Sequence, residues 1–274
     1  LKTHALFFPF DLFGNPGTRA GAELLADAFE EMLADCKREK IPARGRSYAS
    51  RVRFHELLFD RIEDYQEWRP RARHAIAEVL DRGNFLLWCA GNHLGALPLY
   101  DELAHHHKDT LVLHFDAHLD IYHLSDCTRE LSHGNFLRHC EGPLPNIVHI
   151  GHRDLFLRKE DARPYFKSIV SAADIALDAD AALRVIREAA RDARRIVVDL
   201  DCDVFDPAYF PAVQQPQPLG IAPAFVLRCL DAVWSTGLAA LAVSEFDPAH
   251  DRRDQSLGTL LWLIEYVLLR LYEK

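Results

Sequence analysis

Long apolar runs are missing from this chain. None reaches the roughly 18 consecutive residues that a membrane-spanning helix needs, and no signal-peptide pattern precedes the first apolar segment, His4 to Phe10. Both absences predict a cytoplasmic protein with no membrane partner. Positive charge is also in deficit: 32 Lys and Arg stand against 41 Asp and Glu, a formal net charge of −9. A nucleic-acid-binding surface is normally basic; here the basic residues are scattered, with no block beyond Arg69 to Arg73, so no nucleic-acid partner is expected. The six cysteines contain no C-x-x-C pair and no dense framework, so they read as reduced cytosolic thiols. Internal repeats, low-complexity segments and linkers are absent too. With 274 residues, 49% of them hydrophobic, the chain suits one large domain spanning residues 1–274.

What is present is an alternation. Apolar strands are expected at His4 to Phe10, Phe54 to Leu58, Asn84 to Ala90, Leu111 to Phe115, Asn146 to Ile150, Tyr165 to Val170, Arg195 to Asp201 and Leu238 to Phe246. Helical spacing covers Ala20 to Leu33, Arg71 to Leu80, about Leu94 to His107, Ala181 to Ala193, Ala224 to Trp234 and Gln255 to Leu271. The polar, basic stretch Cys36 to Ser50 reads as a loop, and Ile121 to Leu131 as a substrate-contacting loop. From residue 84 onward strands and helices alternate, which predicts an α/β fold with a mostly parallel sheet covered on both faces. In such sheets sites lie at the carboxyl ends of strands. His93, the group Asp116, His118 and Asp120, the pair Asp201 and Asp203, and Glu245 all fall at such ends.

The stretch Leu111 to Tyr122, LVLHFDAHLDIY, carries the strongest signal. Asp116, His118 and Asp120 alternate by two, and in an extended segment that places them on one face. Grouped carboxylates at the end of an apolar strand are costly unless compensated, and a divalent cation is the simplest compensation. Adding His93, Asp201 and Asp203 gives two histidines and four carboxylates, more than the three protein ligands of a usual catalytic zinc. Six suffice for two metals, and oxygen-rich ligation favours manganese over zinc. Asp199 shares the period of Asp201 and Asp203, so the register of this strand has two readings. The distance to Asp206-Pro207 favours Asp201 and Asp203, leaving Asp199 deeper in the strand and in need of a partner.

These residues carry a resemblance to the arginase/agmatinase (ureohydrolase) family. Asp116-Ala-His-Leu-Asp120 resembles its D-A-H-x-D motif, and Ala90-Gly-Asn-His93 its G-G-[DN]-H motif, with Ala for the first Gly. Asp201-Cys-Asp203-Val-Phe-Asp206-Pro207 is similar to D-x-D-x-x-D-P, and Ser244-Glu245-Phe-Asp-Pro248 to the later E-x-N-P segment, with Asp247 for Asn. The resemblance implies a three-layer αβα fold and a binuclear site holding two Mn2+ per chain. His93, Asp116, Asp120 and Asp201 would hold one ion; His118, Asp116, Asp201 and Asp203 the other. Asp120 would also orient the attacking hydroxide, Glu245 would pair with the substrate guanidinium, and His133 would shuttle protons. The family's tendency to form trimers or hexamers implies a homo-oligomer.

The segment after D-A-H-x-D, Ile121 to Glu130, does not match the loop by which arginases read a free amino acid. Three guanidino substrates stay open: an arginine side chain inside a peptide, free arginine, and agmatine. An arginine side chain yielding ornithine and urea is favoured, and a peptide-arginase branch of the superfamily makes the peptide-bound form a serious expectation. Two rival classes remain. One is a single-zinc deacetylase-like hydrolase, for which His93 and Asp203 would be surplus and no His-His dyad is suitably placed. The other is a non-catalytic metal-binding scaffold.

Overall fold

The structure, a computed structural model, describes residues 1–41, 43–122, 130–155 and 157–273. Its centre is a sheet of eight strands: β1 (Thr3–Phe8), β2 (Val52–Glu56), β3 (Phe85–Ala90), β4 (Thr110–Phe115), β5 (Asn146–Ile150), β6 (Ser168–Val170), β7 (Arg195–Asp201) and β8 (Leu238–Ser244). They lie side by side in the order β2-β1-β3-β8-β7-β4-β5-β6, and every described pairing is parallel. Parallel strands need crossovers, and helices on the two faces supply them. Hence the central strands are apolar almost throughout: all six residues of β3 and all six of β4 are buried.

Alternation along each strand feeds two separate cores. In β7, Ile196, Val198 and Leu200 enter one apolar cluster, joined there by Cys202, while Val197 enters the cluster on the opposite face. Asp199 and Asp201 continue the Val197 face. Cys202, in the 3-10 turn that follows β7, packs into the cluster opposite the Asp199 and Asp201 face.

Three local expectations are revised. The helix expected to stop at Leu33 runs from Thr18 to Arg38, and Arg46–Ala49 adds a further turn, so much of 36–50 is helical rather than loop. Lys37 and Arg38 close the longer helix where its dipole favours cations. The helix expected over 94–107 divides into a 3-10 turn at His93–Ala96 and an α-helix at Leu97–Leu103. Pro98, which lacks an N–H, fits the first turn of a helix and fixes where the α-helix begins. The strand expected at 165–170 is reduced to Ser168–Val170.

The basic block Arg69 to Arg73 serves packing. Arg69 makes a two-pronged pair with Asp101, Nε to Oδ2 at 2.7 Å and Nη2 to Oδ1 at 2.9 Å. It also donates to the His139 carbonyl at 2.9 Å, while Asp101 Oδ1 accepts the Glu141 N–H at 2.7 Å. Arg73 reaches Glu102 and Glu141. Together they tie helices Trp68–Leu80 and Leu97–Leu103 to the end of the His133–His139 turn. Asp101 is wholly buried, so removing its partner strands a charge. Arg69→Ala is expected to cost about 3 kcal/mol or more in urea unfolding. By contrast, Arg158→Ala, which breaks an exposed pair with Asp161, should cost under about 0.5 kcal/mol.

Candidate metal centre

Four adjacent strands, β3, β8, β7 and β4, present their carboxyl ends together, and every metal-ligand candidate lies on or just beyond one of them. Asp116, His118 and Asp120 do converge, but not by strand alternation. β4 ends at Phe115, and the chain then turns, reaching a left-handed backbone at Asp120 (φ 48°). Asp203 likewise lies not on β7 but in the 3-10 turn Cys202–Val204, whose start is capped by the Asp201 side chain.

Three of the carboxylates share one arrangement, with one oxygen spent on a backbone amide and the other turned inward. Asp116 Oδ1 accepts the His118 N–H at 2.6 Å, Asp201 Oδ1 the Asp203 N–H at 2.8 Å, and Asp203 Oδ1 the Ala117 N–H at 3.0 Å. Of the inward oxygens, Asp116 Oδ2, Asp120 Oδ2 and Asp201 Oδ2 lie 3.3, 3.0 and 3.0 Å from His93 Nδ1. Asp203 Oδ2 lies 2.8 Å from His118 Nδ1, and Asp116 Oδ1 3.7 Å from the same nitrogen. Two half-sites result, joined through Asp116. Asp201, which the resemblance would have bridge both ions, turns its free oxygen to the His93 side.

The charge balance shows what fits there. Asp116, Asp120, Asp201 and Asp203 are all at most 4% exposed. Burial, then the charges of Asp120 and Asp203, pushes the Asp116 carboxyl well above its usual range; burial with Asp203 and Asp116 does the same to Asp201. Burial opposes ionisation of Asp203 too, but His118 and its hydrogen bonds outweigh this and hold it low. His93 Nδ1 and Asp116 Oδ2 make no hydrogen bond despite their proximity. Buried oxygens that crowd one another around an unbonded imidazole nitrogen suit a divalent cation. The residue types, N/O donors rich in carboxylate, suit the harder divalent metals.

The tautomers agree with that use. His93 Nε2 faces Asp199 Oδ2 at 3.2 Å, and the Tyr100 hydroxyl donates to the same oxygen at 2.8 Å. A proton on Nε2, held by Asp199, leaves the Nδ1 lone pair for a cation. This is the partner that Asp199 lacked in the sequence. For His118, Gln217 Nε2 sits 2.8 Å from Nε2; turning that carboxamide over would place its oxygen there and free Nδ1 in the same way. His114, whose Nε2 is 3.6 Å from Asp116 Oδ2, is by proximity a further candidate. Its Nδ1 faces His149 Nδ1 at 2.8 Å, burial lowers its pKa to about 4 and so keeps the ring neutral, and its Nε2 makes no hydrogen bond.

Beyond the carboxylates a small cleft of about 210 Å³ opens, lined by Asn15, His118, Asp120, His133, Gln215 and Glu245 among others. Glu245, 2% exposed, accepts the His93 N–H at 2.8 Å and the Asn15 Nδ2–H at 2.9 Å; burial pushes its pKa up to about 7. His133 Nδ1 is 3.8 Å from Glu245 Oε1, and burial lowers its imidazole below the usual value. Residues 123–129 of the expected substrate-contacting loop lie outside the described residues. His105, His106 and His107 end their helical segment away from these ligands, half-buried or exposed.

Sequence reasoning missed Asn15 and Asn92. Asn92 is fully buried and donates to the Leu12 and Gly14 carbonyls at 2.9 and 3.0 Å, pinning the loop that follows β1. Gly91 before it allows the chain past Phe10, whose carbonyl oxygen would be 2.2 Å from any Cβ.

A parallel α/β sheet with paired His/Asp half-sites at its carboxyl edge defines a metal-dependent hydrolase class. The chain belongs to the arginase family, whose sequence profile matches residues 3–269. It is thus a metal-dependent amidinohydrolase. It is 24% identical over 250 residues to an agmatinase of Photorhabdus laumondii, covering 90% of this chain and 79% of that protein. In fold it resembles an arginase from Bacillus subtilis (TM-score 0.80, 19% identity, 98% of both chains). It also resembles a proclavaminate amidino hydrolase from Streptomyces clavuligerus (TM-score 0.78, 21% identity, 98% of this chain and 91% of that one).

Replacing Asp199 by Asn should weaken divalent-metal binding at the His93 half-site, and not at the His118 half-site, by roughly 10- to 100-fold, since the partner that fixes the His93 ring loses its charge. Tyr100→Phe should act in the same direction and less. Stepwise calorimetric titration separates the two half-sites; unchanged affinities at both would contradict this role for Asp199.

Proposed function

We propose that this protein hydrolyses the guanidinium group of an arginine side chain, releasing urea and leaving ornithine, with two Mn2+ ions as its resident cofactor. One observation carries the proposal: the two His/Asp half-sites open onto a cleft whose lip holds the buried carboxylate of Glu245. His93, Asp116, Asp120 and Asp201 would hold one ion, and His118, Asp116, Asp201 and Asp203 the other. When bound, the pair lowers the pKa of water to supply a nucleophile near neutral pH and offsets the charge of the carboxylates.

The protein's own groups do the rest. Glu245 binds the planar guanidinium cation through paired N–H contacts. Asp120 accepts a hydrogen bond from the attacking water and aims it at the guanidinium carbon. After addition, the bond from that carbon to the side-chain nitrogen breaks, urea departs, and the nitrogen becomes an amine. His133 moves the proton this requires: burial keeps its ring neutral near pH 7, able to take a proton and pass it on.

The cleft also bears on which arginine. Among the described residues its lining includes no Lys or Arg, and Asn15, Ser132 and Gln215 contribute neutral polar groups. The α-carboxylate of free arginine would find no cationic side chain among these described residues, whereas a peptide-bound arginine presents amides that neutral groups can pair. Phe13, 58% exposed on the loop beside the cleft, offers apolar contact to flanking residues. Agmatine, which also lacks the carboxylate, is the second reading, favoured by the agmatinase relatives.

Urea release from manganese-loaded protein, compared on a short internal-arginine peptide, free arginine and agmatine, tests the proposal. Turnover is expected on the peptide above the other two. Agmatine as the best substrate would favour the second reading, and no urea from any of the three, with two metals bound, would sink both.

A further inference from the structure

We propose that Asn15 is a positioning residue: its carboxamide, braced by Gln215, holds the Glu245 carboxylate in the orientation that receives a guanidinium group. The proposal rests on the role given above to Glu245.

Glu245 is gripped at both oxygens. Oε1 accepts the His93 N–H at 2.8 Å, and Oε2 accepts from Asn15 Nδ2 at 2.9 Å. Two donors on different oxygens fix the plane of the carboxylate as well as its place. That plane matters because a guanidinium ion is flat and pairs best with a coplanar carboxylate. Asn15 is held in turn. Its Oδ1 accepts from Gln215 Nε2 at 3.1 Å. Turning the Asn15 amide over would set its oxygen against Glu245 and its NH2 against the Gln215 NH2. Both neighbours therefore select the same orientation.

The loop beneath Asn15 is built to stay put. Asn92 ties the Leu12 and Gly14 carbonyls, the Thr18 hydroxyl donates to the Asn15 carbonyl at 3.0 Å, and Gly17 N–H donates to Asp11 Oδ2 at 2.8 Å. Gln214, beside Gln215, donates to the Pro16 carbonyl at 3.0 Å and to Asp247 Oδ2 at 2.5 Å. The two glutamines thus clamp the loop to the segment that carries Glu245. Asn15 itself has φ 28°, a backbone that Asn tolerates better than most residues. The same loop seats His133: its N–H donates to the Phe13 carbonyl at 3.3 Å, and the ring lies so close to Gly14 that a Cβ there would be 2.0 Å from it. One loop therefore sets both the cation-binding carboxylate and the proton-moving imidazole, which prepays the ordering that binding would otherwise cost.

The test is Asn15→Gly, which removes the carboxamide and keeps the positive φ free of strain. Guanidinium ion is the probe, titrated by calorimetry into manganese-loaded protein. Affinity is expected to fall roughly 10- to 100-fold, the scale of one hydrogen bond to a charged group, with bound metal and melting temperature unchanged. Gln215→Ala, at an exposed residue, should give a smaller loss in the same direction. Added to Asn15→Gly it should do nothing more, because it acts through Asn15. Guanidinium affinity within twofold of wild type in Asn15→Gly, or full additivity of the two variants, overturns the proposal. Wild type that binds guanidinium, loses it in Glu245→Gln, yet releases no urea keeps this proposal and sinks the hydrolase function. Wild type with no Glu245-dependent guanidinium binding overturns both.

Discussion

Negative charge withdrawn from water is the constraint on which this structure turns. Asp116, Asp120, Asp201 and Asp203 are nearly inaccessible, with Asp199 and Glu245 buried behind and beside them. Even one such carboxylate costs several kcal/mol to bury, and neighbours of the same sign add to it. Backbone amides take one oxygen each from Asp116, Asp201 and Asp203, and imidazoles face the others. The remaining imbalance is what divalent ions offset. Two fully packed cores hold the four strand ends rigid enough to keep this cluster together.

The fold and the ligand residues were legible because their signals are local. Strand β7 matches its expected limits at both ends, since an apolar run closed by acidic residues marks itself. The candidate ligands stood out by type and spacing, although the geometry uniting Asp116, His118 and Asp120 is a turn after the strand and not the strand's alternation. What stayed hidden depends on distant partners. Asp199 had no visible role because His93 and Tyr100 lie about a hundred residues away in the chain. Asn15 and Gln215 are neutral amides in loops, a residue type and setting with many ordinary uses. The Arg69 to Arg73 cluster could not be told from a binding patch until Asp101, Glu102 and Glu141 were brought to it.

Two departures from the family motifs find local reasons. Asp247, where the family has Asn, caps the turn Pro248–His250 and accepts from Ala249 N–H, His250 Nδ1 and Gln214, a load that suits an acceptor-only side chain. Ala90, where the family has Gly, sets its methyl against Gly95, at which a Cβ would come within 2.5 Å. The space lost at one position is returned at the other.

The strand order has a kinetic consequence. β3 and β4 follow one another in the chain but are separated in the sheet by β8 and β7. While residues 1–170 are being synthesised, the two strands that supply His93 and Asp116 have no shared neighbour between them. The later strands must insert into the middle of the sheet rather than add to its edge. They bring Asp201, Asp203 and Glu245 with them, so the last step of sheet closure is also the step that assembles the charged cluster. Until then β3 and β4 each present an unpaired apolar edge, the kind of surface on which nascent chains associate wrongly.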